Sequence, residues 1–190
     1  MIIGFALTGS FCTFHKTMPV LSKLKDKGYD IIPIMSSNVY TINTRFGEAQ
    51  YWKDEVERIT GNKILYTLPD VEPIGPKNLL DMIVVAPCTG NTLAKLANGI
   101  SDTSVTMACK SQWRNQKPVV LAISTNDGLG INMQNIAKLM VNKNVYFVPF
   151  GQDNPTAKPK SLVSDMTLVP DAINAALKYQ QLQPVIITYR

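Results

Sequence analysis

A chain of 190 residues has the length of one ordinary domain with a full core, and its 45% hydrophobic and 17% charged residues exclude a disordered class. The formal charge of +5 comes from scattered Lys and Arg that never interleave with aromatics as a nucleic-acid surface requires, so a small anionic ligand suits it better. With His15 the single histidine and Cys12, Cys88 and Cys109 odd in number and without a Cys-x-x-Cys pair, neither a metal site, a Ser-His-Asp triad nor a disulfide framework is expected, and the cysteines read as reduced, buried thiols.

Residues 1–7 are a continuous apolar run closed by Thr-Gly-Ser, which predicts a buried strand entering a turn. The run is too short to cross a bilayer and lacks the basic start of a secretory signal, so a cytoplasmic location is expected. Apolar residues at helical spacing predict a helix over 13–27, with Pro19 kinking or restarting it, Gly28 stopping it and His15 a partly exposed member. "YDIIPIMSS" is a second strand, placed off the sheet centre by Pro33. A helix over 46–59 follows, then "KILYTL" as a short strand. "DMIVVAP", "PVVLAIS" and "NVYFVPF" read as three more strands, separated by helical spacing over 91–100, 105–113 and 132–141. Residues 151–161 are irregular, a mobile loop or a lid, and Pro170 opens a last helix through 181.

Strands alternating with helices imply an α/β fold: a Rossmann-like, doubly wound parallel sheet with helices on both faces, formed by one domain over 1–190. Such sheets bind ligands beyond the carboxyl ends of their strands. That edge collects "TGS" with Thr8, Gly9 and Ser10, "MSS" with Ser36 and Ser37, "APCTGN", and "ISTND". Backbone N–H groups at Gly9 and Ser10 suit a phosphate, although a Gly-Ser turn can equally just close a strand, and Ser36 and Ser37 share that ambiguity. Thr89, Asn91 and Thr92 cluster more polar side chains than one helix cap needs. Asp102 either caps a loop or faces a ring N–H donor. Dinucleotide and P-loop glycine motifs are absent from the sequence.

"APCTGNTLAKLANGISD" resembles the central motif of the homo-oligomeric flavin-containing cysteine decarboxylase family, and "ALTGS" its first phosphate loop. "ISTND" lies where that family carries a Pro-x-Met-Asn substrate motif, of which Asn126 alone survives. The family's catalytic histidine, in a Gly-His segment, has Asn62 in its place here, which argues against cysteine decarboxylation. Six separated stretches, "LTGSFCT", "NTRFGEAQYW", "APCTGN", "RNQKPVVLAISTND", "VPFGQDNP" and "QQLQP", are similar to one branch of the family that serves bacterial spore formation.

The resemblance implies FMN as cofactor, its phosphate on Gly9, Ser10 and Ser36 or Ser37, and its ring near Thr89, Gly90, Asn91 and Asp102, with Thr8, Thr92 and Thr125 completing the site. It implies an oxidoreductase subunit that dehydrogenates a dihydropyridine dicarboxylate to an aromatic ring, helped by a second, nicotinamide-binding subunit that brings NADP. It also implies a homo-oligomer, trimeric or higher, with Trp113 as a contact, in the mother cell of a sporulating bacterium. Arg45 could clamp a substrate carboxylate with its planar fork, or merely start a helix and pair with Glu48. Asn126 would orient the ring, and Lys158 and Lys160 could close over the second carboxylate. A stand-alone FMN-dependent decarboxylase or prenyltransferase, or a non-catalytic subunit that stabilises its partner, are the alternatives.

Overall fold

The computed structural model describes residues 1–188, so the last two positions of the expected 1–190 domain lie outside the described residues. Strands β1 (Ile2–Leu7) and β2 (Asp30–Met35) are joined by α1 (Phe14–Asp26), entered through a 3-10 turn at Phe11–Thr13. The path to β3 (Met82–Cys88) carries α2 (Ser37–Thr41), α3 (Ala49–Thr60) and α4 (Leu68–Val71). Then α5 (Gly90–Ala97) and α6 (Ser104–Arg114) lead to β4 (Val119–Thr125), and α7 (Asn132–Met140) to β5 (Val145–Phe147). Two short strands, β6 (Phe150–Gly151) and β7 (Leu162–Ser164), precede α8 (Val169–Ala176).

β1 pairs in parallel with β2 on one side and β3 on the other, and β4 and β5 add in parallel beyond β3. The chain thus runs outward from β1 to β2 and returns across β1 to β3, so the strand order reverses between β1 and β3. Side chains alternate between two cores, as the two-residue strand period requires. Ile3, Phe5, Leu7, Val84, Val120 and Ala122 join α1, α3 and α8 on one face; Ala6, Ile83, Val85, Leu121 and Ile123 join α5, α6 and α7 on the other. The indole of Trp52 from α3 meets Phe14 of α1 edge-on at 5.1 Å, and α3 stops at Gly61, which takes a left-handed φ of 72°.

Several expectations need correction. The sheet is mixed: β7 pairs antiparallel with the end of β4, Ser124 with Val163 and Thr125 with Leu162, and β6 pairs antiparallel with β7. The irregular 151–161 stretch is therefore largely the loop of a hairpin. α1 does not restart at Pro19 but runs through it, and the carbonyl of His15, which the missing N–H would have served, lies where both residues are exposed and water can take it. "KILYTL" makes one bridge, Leu65 to Ile34, before Thr67 caps α4 with a reciprocal Thr67–Asp70 box. Arg45 precedes the helix instead of starting it, in a tight turn closed by mutual Thr44 and Gly47 backbone bonds of 3.1 Å. The last helix ends at Ala176, short of the expected 181. Trp113 is half-buried against the second core, with its indole nitrogen buried and without a hydrogen bond among the described residues. Pro33 does lie in the outermost parallel strand, β2.

Candidate functional site

All the parallel strands point their carboxyl ends to one edge, and a two-lobed cavity opens there at the reversal between β1 and β3. The smaller lobe, about 310 Å³, is bounded by Thr8, Gly9, Ser36, Ser37, Thr89, Asn91, Thr92 and Lys95 among others. The larger, about 700 Å³, is reached by Gly9, Ser10, Thr89, Gly90, Thr125, Asn126 and Arg45, with Phe11, Phe46 and Val163 as apolar wall. Both volumes fall in the roughly 300–1,000 Å³ range of small-molecule sites. Gly9 and Thr89 border both lobes.

In the smaller lobe several polar groups serve the protein. Thr8 is buried, and its hydroxyl donates to Pro87 O at 2.7 Å while accepting from Thr89 N–H at 2.9 Å, which ties the end of β1 to the end of β3. Thr89 caps α5 by accepting from Thr92 N–H, and the two threonine hydroxyls pair at 3.0 Å. The hydroxyls of Ser36 and Ser37 and the amide of Asn91 have no side-chain hydrogen bond among the described residues, so they remain available to a ligand. Asp102 does not line either lobe. Its carboxylate accepts from Lys95 at 2.8 and 2.9 Å, and these bonds hold it below the usual carboxylate range. The cation Lys95, unlike Asp102, reaches the lobe.

The larger lobe has a rigid back and charged sides. Ser10, Thr13 and Ser124 form a hydroxyl triangle with edges of 2.6, 2.8 and 3.3 Å, linking the turn after β1 to the end of β4. The Thr125 hydroxyl donates to Asp127 at 2.8 Å, Asn132 donates to the same carboxylate oxygen at 2.7 Å, and Asn135 donates to Asn132 at 2.9 Å. Gly90 lets this chain of bonds close: a Cβ there would lie 2.6 Å from Thr125 Oγ1 and collide with Asn132 Nδ2. Arg45 lays its guanidinium 4.9 Å from the Phe46 ring centroid and has no ion pair among the described residues. Asn126 is exposed at the end of β4 and likewise has no side-chain bond.

The hairpin supplies the last wall, because pairing β7 with the end of β4 carries its loop over the lobe. Lys158 lines the lobe, 3.7 Å from Asp153, whose other carboxylate oxygen is buried without a partner. Lys160 does not line it. His15, Lys16 and Cys12 project into the lobe from α1 and the turn before it. Cys12 is thus exposed, contrary to the expected buried thiol, whereas burial pushes Cys109 up to about 12 and Cys88 higher than a normal thiol. Asn62 sits at the opposite edge, donating to Ile31 O at 2.8 Å near the start of β2, so it does not stand in for a catalytic histidine.

Sequence reasoning therefore gathers the expected site residues at the cavity except Asp102 and Lys160, and passes over His15, Lys16, Lys95, Ser124 and Asp153. Helical spacing places His15 and Lys16 on an outer face, and spacing alone does not separate bulk water from an open cavity. Ser124 carries a signal, since it belongs to "ISTND" at the end of its strand. Among the described residues no helix is long and apolar enough to cross a membrane.

A family model described as Flavoprotein matches residues 1–181. The B subunit of dipicolinate synthase from Bacillus subtilis (strain 168) is 48% identical over 185 residues, which are 97% of this chain and 92% of that protein. The crystal structure of the corresponding B subunit from Bacillus halodurans C superposes with a TM-score of 0.92 at 47% identity, covering 100% of this chain and 97% of that one. Burkholderia xenovorans DmrB, solved in complex with FMN as a cubic protein cage for redox transfer, shares the fold with a TM-score of 0.70 at 17% identity, over 93% of this chain and 95% of that one.

Proposed function

The chain belongs to the Flavoprotein family, and from that premise we propose that it is the flavin-binding subunit of a dipicolinate synthase, oxidising dihydrodipicolinate to dipicolinate together with the companion A subunit of that enzyme. The observation that carries this reading is the larger lobe, where unpaired Arg45 and Asn126 face the space that Gly9 and Thr89 share with the hydroxyl-rich smaller lobe. A phosphorylated ring cofactor needs donors at one end and flat apolar walls at the other, and an anionic substrate needs cations above the ring.

The residues present fit FMN. A Cβ at Gly9 would meet only Phe11 Cε2, at 3.5 Å, so the bare backbone at the reversal point leaves space for a ligand to approach. Ser36, Ser37 and Lys95 offer donors for a phosphate beside Gly9, with Ser10 next to it in the adjoining larger lobe, and Asn91 offers an amide for ribityl or ring polar groups. Thr89, Gly90 and Thr125 form the floor of the larger lobe, while Thr8 and Thr92 hold that floor in shape. A bound flavin supplies a two-electron acceptor. The rest belongs to the chain. Arg45 presents a planar fork that matches a carboxylate with two parallel bonds, and Asn126 orients the ring from the end of β4. Lys158, on the hairpin loop, keeps Asp153 beside it at 3.7 Å and adds a cation for the second carboxylate.

The companion, in this reading, brings NADP and re-oxidises the flavin, and copies of the present chain assemble as a trimer or larger body in the cytoplasm of the mother cell. The test is direct. The purified chain, titrated with FMN and followed by absorption, should take up flavin near one per chain; mixed with its companion and dihydrodipicolinate it should form dipicolinate. A chain that leaves added FMN spectrally unchanged would defeat the reading.

A further inference from the structure

We propose that His15 is the proton acceptor in this oxidation, an inference that rests on the reading above. Turning a dihydropyridine into an aromatic ring removes two hydrogens. One leaves a ring C–H bond as hydride, taking both bonding electrons to the flavin. The other leaves as a proton, and its electron pair stays behind as the new double bond of the ring. A flavin accounts for the first, and a base in the protein must accept the second.

The groups that face the larger lobe narrow the choice. Lys16, Lys158 and Arg45 are cations with no lone pair to offer. The hydroxyls of Ser10, Thr13 and Ser124 are bonded to one another, and that of Thr125 donates to Asp127. Asp153 has one carboxylate oxygen beside Lys158 and the other buried. Cys12 offers a thiol, which must itself lose a proton before it can accept one. His15 remains. A neutral imidazole carries one acceptor nitrogen. Its side chain has no hydrogen bond or ion pair among the described residues, and it enters the lobe from the first turn of α1, so the lone pair is uncommitted. Because His15 is also exposed, the proton it takes can pass to water without a relay.

The variant is His15→Gln, which keeps a polar side chain on an exposed helical position and removes the basic nitrogen. With the companion present and FMN saturating, dipicolinate formation should fall by about 10² to 10⁴-fold, the usual contribution of a positioned general base. FMN titration and calorimetric binding of dipicolinate should be unchanged, and added imidazole should restore part of the rate through the open lobe. The flavin-free chain gives a separate readout: wild type should exchange a ring hydrogen of dihydrodipicolinate with D₂O, and His15→Gln should not. His15→Asn, run in parallel, guards against a defect particular to glutamine. A full rate in both variants beside an active wild type would overturn the role of His15 alone, as would a loss of rate matched by an equal loss of dipicolinate binding. Absence of dipicolinate from the wild-type mixture would overturn the reading of the whole site and His15 with it.

Discussion

The two lobes of the cavity are made from different parts of the chain and hold their polar groups in different states. The smaller lobe is formed mainly by residues that directly follow β1, β2 and β3, and its central hydroxyls, Thr8, Thr89 and Thr92, are already bonded to backbone or to each other. The larger lobe draws on α1, the turn before α3, the end of β4 and the hairpin loop, and its Arg45, Lys16, His15 and Asn126 have no hydrogen bonds or ion pairs of their own among the described residues. Bonded hydroxyls fix a shape; unpaired charged groups wait for a charged ligand. By the same rule the unbonded Ser36, Ser37 and Asn91 of the smaller lobe face a ligand and the bonded Ser10, Thr13 and Ser124 of the larger one are architecture, and substitutions can test the division.

The largest expected effect is in the larger lobe. Arg45→Ala removes a charge-assisted fork, and losing such bonds weakens binding by roughly 1.5 to 3 kcal/mol. Calorimetric titration with dipicolinate should show that loss, while FMN affinity stays put; Arg45→Lys should recover little, because an ammonium does not reproduce the fork. Equal dipicolinate affinity in wild type and Arg45→Ala would erase the contrast. In the smaller lobe Thr8→Val keeps the shape but takes the acceptor from the Thr89 N–H and leaves the Pro87 carbonyl only the longer bond of 3.3 Å from the Thr8 backbone N–H. Urea unfolding of the flavin-free chain should show a loss of about 1 to 3 kcal/mol, the cost of a stranded buried polar group. Ser36→Ala, on the rim of the same lobe, should do the reverse: flavin-free stability unchanged, and FMN affinity lower by about 0.5 to 1.5 kcal/mol for one hydrogen bond. If Thr8→Val and Ser36→Ala behaved alike, the division between architectural and ligand-facing hydroxyls would fail.

The same contrast explains what is legible in the sequence. The parallel strands and their polar ends can be read because a buried parallel strand is a long apolar run, and the residues that end it must turn within a few positions. Hence Thr8, Gly9, Ser36, Thr89 and Gly90 fall on one edge in the sequence reading and in the fold alike. β6 and β7 have two and three residues, too few to display any alternation, so the hairpin that walls the larger lobe reads as loop. His15 belongs to an exposed helical face, and only the third dimension shows that this face looks into a cavity. Asn62, which holds the family histidine's position in the motif by order along the chain, comes to rest near the start of β2, donating to the Ile31 carbonyl.

Asp102 gives the smallest and most discriminating measurement. From the motif it could face a ring N–H, which would make its carboxylate a partner of the flavin. In the fold it lies outside the lining and accepts both of its short bonds from Lys95, which does line the smaller lobe. Those two placements predict opposite signs for Asp102→Asn. If the carboxylate met the ring, the variant would bind FMN more weakly. If it only balances Lys95, the variant leaves one more uncompensated positive charge beside the place proposed for the phosphate, and FMN should bind as well or slightly better. An exposed pair is weak and screened by salt, so the gain should stay below about fivefold at low ionic strength and vanish as the Debye length shrinks to about 3 Å in 1 M salt. Fluorescence titration of FMN at two salt concentrations reads the sign. A salt-insensitive loss of about tenfold or more, the scale of a lost bond to a charged group, would return Asp102 to the site and require the loop after α5 to move when flavin binds.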